Sequence, residues 1–123
     1  MKFTILHTDK KRYPELLLLA DEQESMIDRY LERGTVYVLA DPDVKCQCVV
    51  TEEPGGILEI QNLATVPQAQ RHGYGRAMVA YIAEQFRGRC TVLQVGTGDS
   101  PSTLGFYRSC GFVPVCRIAN YFP

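Results

Sequence analysis

The chain has 123 residues, 46% of them hydrophobic and 22% charged, and a formal net charge of −1. That length suits one domain spanning residues 1–123 with its own core, and the composition excludes a disordered or fibrous chain. The charge balance argues against a general nucleic-acid binder, and no apolar run reaches the ~18 residues of a membrane span. The start, Met1-Lys2-Phe3-Thr4-Ile5, lacks the apolar core and small-residue cleavage site of a secretory leader. A cytoplasmic protein with no nucleic-acid or membrane partner is therefore expected.

Thr4-Ile5-Leu6 reads as a first strand. Pro14 suits a first helical turn, ahead of the apolar Leu16-Leu17-Leu18-Leu19-Ala20, a short helix or buried segment. Asp21 can cap a second helix, with Glu24 completing a capping box and Met26, Ile27, Tyr30 and Leu31 on one face. Gly34 is expected to end that helix in the left-handed conformation. Strands over 35–40, 45–51 and 57–66 follow, with turn chemistry at Asp41-Pro42-Asp43 and Pro54-Gly55-Gly56 between them. Connections this short imply an antiparallel meander. Ala77, Met78, Tyr81, Ile82 and Phe86 give the next helix its buried stripe, and it leads to a strand over 91–95. Strand, helix and strand in that order demand parallel pairing with the 57–66 strand. Ser100 caps a helix from Pro101 to just before Gly111, and 113–118 forms a last strand. The fold class is α/β, with a mixed sheet of about six strands and about four flanking helices.

The five cysteines are an odd set, and without a leader they are expected as thiols in a reducing compartment. Cys46 and Cys48, two apart on a strand, point to one face; with only His7 and His72 besides, no metal site is expected.

Where the 57–66 strand gives way to a helix, the chain reads Gln70-Arg71-His72-Gly73-Tyr74-Gly75-Arg76. A helix start carries unpaired N–H groups and a partial positive charge, so it can bind phosphate without a basic protein. Gly73 and Gly75 would let the backbone approach a phosphate, and Arg71 and Arg76 would add charge at the rim. A tight turn with a packing glycine and two solvated arginines is the alternative, and the short pattern alone leaves both open. A P-loop would need Gly-Lys-Ser or Gly-Lys-Thr and a dinucleotide fingerprint three spaced glycines; neither is present.

The combination of Gln70-x-x-Gly73-x-Gly75, the preceding Leu63-Ala64-Thr65-Val66-Pro67 and the downstream Phe106-Tyr107-Arg108-Ser109-Cys110-Gly111-Phe112 resembles the GNAT family of acetyl-CoA-dependent N-acetyltransferases. The resemblance runs over nearly the whole chain. It implies acetyl-CoA as co-substrate, its pyrophosphate held at the Gln70 signature by Arg71, His72, Gly73, Tyr74, Gly75 and Arg76. It also implies that the 57–66 strand bulges and splays from its parallel partner, with Leu63, Ala64 and Thr65 pairing with the pantetheine arm as an added strand would. An alkyl amine near pKa ~10.4 must lose a proton before it attacks, and the departing thiolate must gain one. The resemblance assigns these tasks to Glu59 as base and Tyr107 as acid, in direct transfer through a ternary complex; Glu52 and Glu53 are alternative bases.

Ser100 stands where many relatives carry asparagine, which leaves it only a capping role. Gly105, costing ~1 kcal/mol in a helix relative to alanine, suggests close approach of cofactor or backbone. The family's closing strand after 113–118 is expected to be missing, which would leave an open sheet edge or an incomplete acceptor pocket, and either a truncated chain or a homodimer that shares edges is expected. The acceptor is a small-molecule or peptide amine over the first two helices, where Asp21, Glu22, Glu24 and Asp28 make either a site for a cation or a solvated face. The competing class is a coenzyme-A-binding module without catalysis.

Overall fold

The computed structural model describes residues 1–20, 24–96, 101–115 and 118–120. Strands β1 (Lys2–Leu6), β2 (Thr35–Ala40), β3 (Val44–Glu53), β4 (Ile57–Thr65), β5 (Val92–Gly96), β6 (Val113–Val115) and β7 (Ile118–Asn120) form one seven-stranded sheet, ordered β1-β2-β3-β4-β5-β7-β6. The first four are an antiparallel meander, β5 runs parallel to β4, and β7 pairs antiparallel with both β5 and β6. Helices α1 (Pro14–Ala20) and α2 (Glu24–Leu31) precede β2, α3 (Tyr74–Gln85) joins β4 to β5, and α4 (Pro101–Ser109) follows β5.

Each face of the sheet has its own core. One combines Tyr37, Leu39, Cys46, Cys48, Val50, Leu58 and Ile60 from the strands with Met78, Val79, Ile82 and Phe86 from α3 and its end. The other sets Val36, Val38 and Val49 against Leu17 of α1 and Ile27, Tyr30 and Leu31 of α2. Alternation in β2 and β3 decides which side each residue supplies. A fully buried Leu or Val contributes roughly 1.5–3 kcal/mol, and Val36, Leu39, Val49 and Leu58 are all 0% exposed. Met26, expected on the inner face of α2, is exposed, as are Leu18 and Leu19 of α1.

β4 carries a bulge. Val49 pairs with Asn62 and Val50 with Ile60, which leaves Gln61 as the extra residue. Before it, Leu58 and Ile60 face α3; after it, Leu63 returns to that side, while Asn62 donates to the Leu17 carbonyl of α1 at 2.9 Å. The bulge thus resets the alternation and keeps both Gln61 and Asn62 off the α3 side.

Three expectations are corrected. The last strand is a hairpin, β6 and β7, and β7 covers β5, so among the described residues the sheet ends at the three-residue β6 rather than at β5. Gly34 is not left-handed; a Cβ there would sit 2.8 Å from the Tyr30 carbonyl oxygen and 2.9 Å from Val49 Cγ1, so close packing demands glycine. The end of α2 is closed instead by Lys10, whose Nζ donates to the carbonyls of Leu31 (3.2 Å), Glu32 (2.7 Å) and Gly34 (2.8 Å), a cation at the negative end of the helix dipole. The third concerns Gly105: among the described residues nothing lies within 4 Å of a Cβ placed there, so no neighbouring backbone crowds it. The capping roles expected of Asp21 and Ser100 lie outside the described residues, as does Glu22. Among the described residues no helix is long and apolar enough to cross a membrane.

Candidate active site

The ladder between β4 and β5 runs from Ile57↔Val92 to Ile60↔Val95, and β4 continues to Thr65 paired to β3 alone. Among the described residues the end of β4 therefore has one free edge. Val66 donates to Lys45 of the β3 side at 2.9 Å, whereas the Thr65 carbonyl accepts from Gln70 Nε2 at 3.2 Å. By the two-residue alternation of an antiparallel ladder, Leu63 and Thr65 turn their main-chain groups to the free edge and Ala64 turns its groups to β3. Of the three strand residues expected to pair with a pantetheine, Ala64 offers its methyl rather than its amide.

Beside that edge opens a cleft of about 520 Å³, lined by Leu19 and Ala20 of α1, Leu63, Ala64 and Thr65 of β4, Gln70 and Arg71 of the loop, and Phe106 and Tyr107 of α4. Residues 67–69 form a single 3-10 turn after β4, and the loop then reaches α3 through Gly73, left-handed at φ 85°. Among the described residues no side chain caps this helix start, so the first amides of α3 are left for solvent or an anion. Nothing crowds the Cβ position of Gly73; its positive φ is what requires glycine. Arg71 also has a positive φ, 68°, which turns the loop at the cleft wall.

The remaining loop residues divide. His72 Nδ1 lies 3.1 Å from the Ala69 carbonyl, an interaction that needs the tautomer with the proton on Nδ1. Tyr74 donates its hydroxyl to Asp41 Oδ2 at 3.0 Å, so its side chain braces the β2–β3 turn and only its backbone serves the helix start. Arg76 sits against Cys110 of the α4 end, so of the two arginines expected at the rim only Arg71 lines the cleft. Gly75 takes the packing role that the sequence left open as an alternative: a Cβ there would meet the Phe106 ring at 3.0 Å and 3.1 Å, so its absence lets α3 close on α4.

Tyr107 is 9% exposed and packs edge-on between Phe106 (5.0 Å, 75°) and Phe112 (5.3 Å, 77°). Burial pushes its phenol well above the ordinary range, and the neighbouring Cys48, Cys110 and Cys46 push it the same way. Cys46 itself, bonded to by Thr65 Oγ1 at 3.6 Å, is raised by burial from 9.0 to about 11. This wall holds its protons.

Glu59 is not among the residues that line the cleft. It lies half-buried on the side of β4 opposite the α3 core, where β4 and β5 are still paired. Both its oxygens accept hydrogen bonds, Oε1 from Gln94 at 2.7 Å and Oε2 from Gln61 at 3.2 Å. Glu52 and Glu53 are at the hairpin end, ion-paired to Arg89 at 3.0 Å and Arg33 at 2.9 Å, and a hydrogen bond from Thr51, then Arg33, holds the Glu53 carboxyl below its usual range. Asp28 pairs with Lys11 at 2.6 Å. Sequence reasoning did not single out Leu19, Ala20 or Phe106 as lining the cleft, nor Gln61 and Gln94 as the partners of Glu59.

The family model described as an acetyltransferase (GNAT) domain matches residues 32–114. A Bacillus subtilis (strain 168) protein described as an uncharacterized N-acetyltransferase, YvbK, is 34% identical over 102 residues, which is 80% of this chain and 65% of that protein's length. An IAA acetyltransferase from Bacillus cereus superposes with a TM-score of 0.81 at 34% identity, over 93% of this chain and 79% of its own. A Bacillus subtilis acetyltransferase in complex with CoA gives 0.83 at 29% identity, over 91% and 76%. An Elizabethkingia anophelis GNAT acetyltransferase with acetyl-CoA bound gives 0.81 at 29% identity, over 92% and 77%. With this match over two thirds of its length, and with a splayed parallel pair beside an uncapped, glycine-led helix, the chain belongs to the GNAT family of acetyltransferases.

Proposed function

We propose that this protein transfers an acetyl group from acetyl-CoA to a primary amine of a small molecule or peptide, by direct attack within a ternary complex. The observation that carries the reading is the cleft at the free edge of β4, with Gln70 and Arg71 of the loop that leads into α3 and Tyr107 in its wall. Neighbours of the same fold that hold CoA and acetyl-CoA support it. The residues fit such a ligand: amides of Gly73 to Arg76 and the Arg71 guanidinium would hold the diphosphate, with Gln70 and His72 fixing the loop. Leu63 and Thr65 would pair with the pantetheine amides, and one of their N–H groups would meet the developing oxyanion.

Tyr107 serves as the acid. A phenol with raised pKa keeps its proton through neutral pH, but it donates only to a base of comparable strength. Burial supplies one, because the wall that raises Cys46 to about 11 would also raise the basicity of a departing thiolate. Glu59 accepts the amine proton directly or through one water, since it sits one residue before β4 and β5 diverge. The four described cysteines are free thiols, which suits action in the cytoplasm.

A thermal-shift titration with coenzyme A tests the binding half, and thiol release from acetyl-CoA across polyamines, aminoglycosides, amino acids and lysine peptides tests the chemistry. The expected result is stabilisation by coenzyme A together with turnover of at least one amine. Binding with no turnover would make the protein a coenzyme-A-binding module instead, and no shift would refute both.

A further inference from the structure

We propose that Gln94 and Gln61 are positioning residues that fix the carboxylate of Glu59 for proton abstraction, an inference that rests on the reading of Glu59 as the base. Glu59 on β4 and Gln94 on β5 are register partners in the last stretch of parallel pairing, and their side chains meet at 2.7 Å. Gln61 approaches the other oxygen from along β4, at 3.2 Å. Its amide is itself anchored, because the same Nε2 donates to Thr51 Oγ1 at 3.0 Å; Thr51, 1% exposed, donates to Glu53 Oε2 at 2.6 Å, and Arg33 holds that carboxylate at 2.9 Å. The chain of bonds crosses three strands and ends in an ion pair at the rim.

A glutamate on a strand has three side-chain torsions to lose, so an unbraced carboxylate would spend most of its time misdirected. Two donors on two different oxygens leave it one orientation, with a lone pair on each oxygen still open to a proton. Both donors are neutral. An arginine or lysine in either place would orient the carboxylate as well but would set a cation beside an incoming ammonium group. Glutamine gives the geometry without that repulsion.

The test is a double-mutant cycle on thiol release, using the amine that the parent protein turns over fastest. Gln94→Leu keeps the size and strand propensity of the side chain and removes the donor. It should lower kcat by about tenfold, since small misplacements of a catalytic group cost one to two orders of magnitude, with the KM for acetyl-CoA and the thermal midpoint unchanged. In a Glu59→Gln background the same substitution should change kcat by less than about twofold, because the group it positions is gone. Gln61→Leu should behave alike and serves if Gln94→Leu does not fold. Gln94→Leu and Gln61→Leu at the parental rate beside an impaired Glu59→Gln would overturn the positioning role and leave the base intact. Equal losses in both backgrounds would mark a merely structural part and overturn it too. A Glu59→Gln variant at full rate, or a panel with no substrate at all, would remove the base reading and this inference together.

Discussion

The two sides of β4 differ in how they treat polar groups. Toward α3 and α4 the strand offers Leu58, Ile60 and Leu63 to aromatic rings and thiols, and burial pushes Cys46, Cys48 and Tyr107 there toward their protonated forms. Toward α1 and α2 it offers Glu59, Gln61 and Asn62, and each finds a hydrogen-bond donor or acceptor within 3.2 Å. One side suits delivery of a proton to a leaving group, and the other suits reception of a proton from an amine. The bulge at Gln61 makes the division, because it moves Leu63 and Thr65 to the thiol side while Asn62 stays with the amides.

The largest test of that contrast is Tyr107→Phe. It removes the proton donor and leaves the ring packing, so kcat should fall by roughly 10²–10⁴ with coenzyme A affinity unchanged. In the parent, the rate should show no loss from Tyr107 ionisation up to about pH 10, the ordinary phenol value, because burial moves that event higher. A rate that survives the substitution would break the assignment.

Next in size is alkaline stability, which should be governed by the thiol side. The folded state retains the Cys46 proton that an unfolded chain releases above pH 9.0, so this share of stability is intact below pH 9.0 and is lost as the pH rises to about 11. It is on the order of 2–3 kcal/mol. Denaturant unfolding at a series of pH values should show the decline, and Cys46→Val should flatten it.

Two glycines sharpen the comparison further. Gly34→Ala drives a methyl into the Tyr30 carbonyl and the backbone of Val50 on the α1/α2 side, and should cost about 1–3 kcal/mol although alanine is the better helix residue. Gly105→Ala meets none of the described residues within 4 Å and should stabilise by about 0.5–1 kcal/mol. Urea midpoints of the two variants should therefore move in opposite directions.

Local pattern explains which features were legible in the sequence. The meander and α3 announce themselves through two-residue and helical periodicity, so strands such as Thr35–Ala40 and the buried stripe of Met78, Ile82 and Phe86 were found where expected. A glycine, by contrast, does not say why it is there. Gly34 serves close packing rather than turn geometry, Gly75 makes room for the Phe106 ring, and only the approach of Val49 and Phe106 from distant segments decides it. The bulge, which the resemblance implied, has no local signal to fix it at Gln61: β4 alternates half-buried and buried residues straight through that position, although the face being buried changes. Gln94 could not be tied to Glu59 because parallel register between strands separated by a whole helix is set by packing, not by any local motif.

The most direct test of the site is an amide NMR titration of the full chain with coenzyme A. Saturable shifts should gather at Leu63, Thr65, Gly73 to Arg76 and Tyr107, while β1 and the β3–β4 hairpin stay still. Shifts that never saturate, or that fall on the hairpin and leave the α3 start unmoved, would contradict the account.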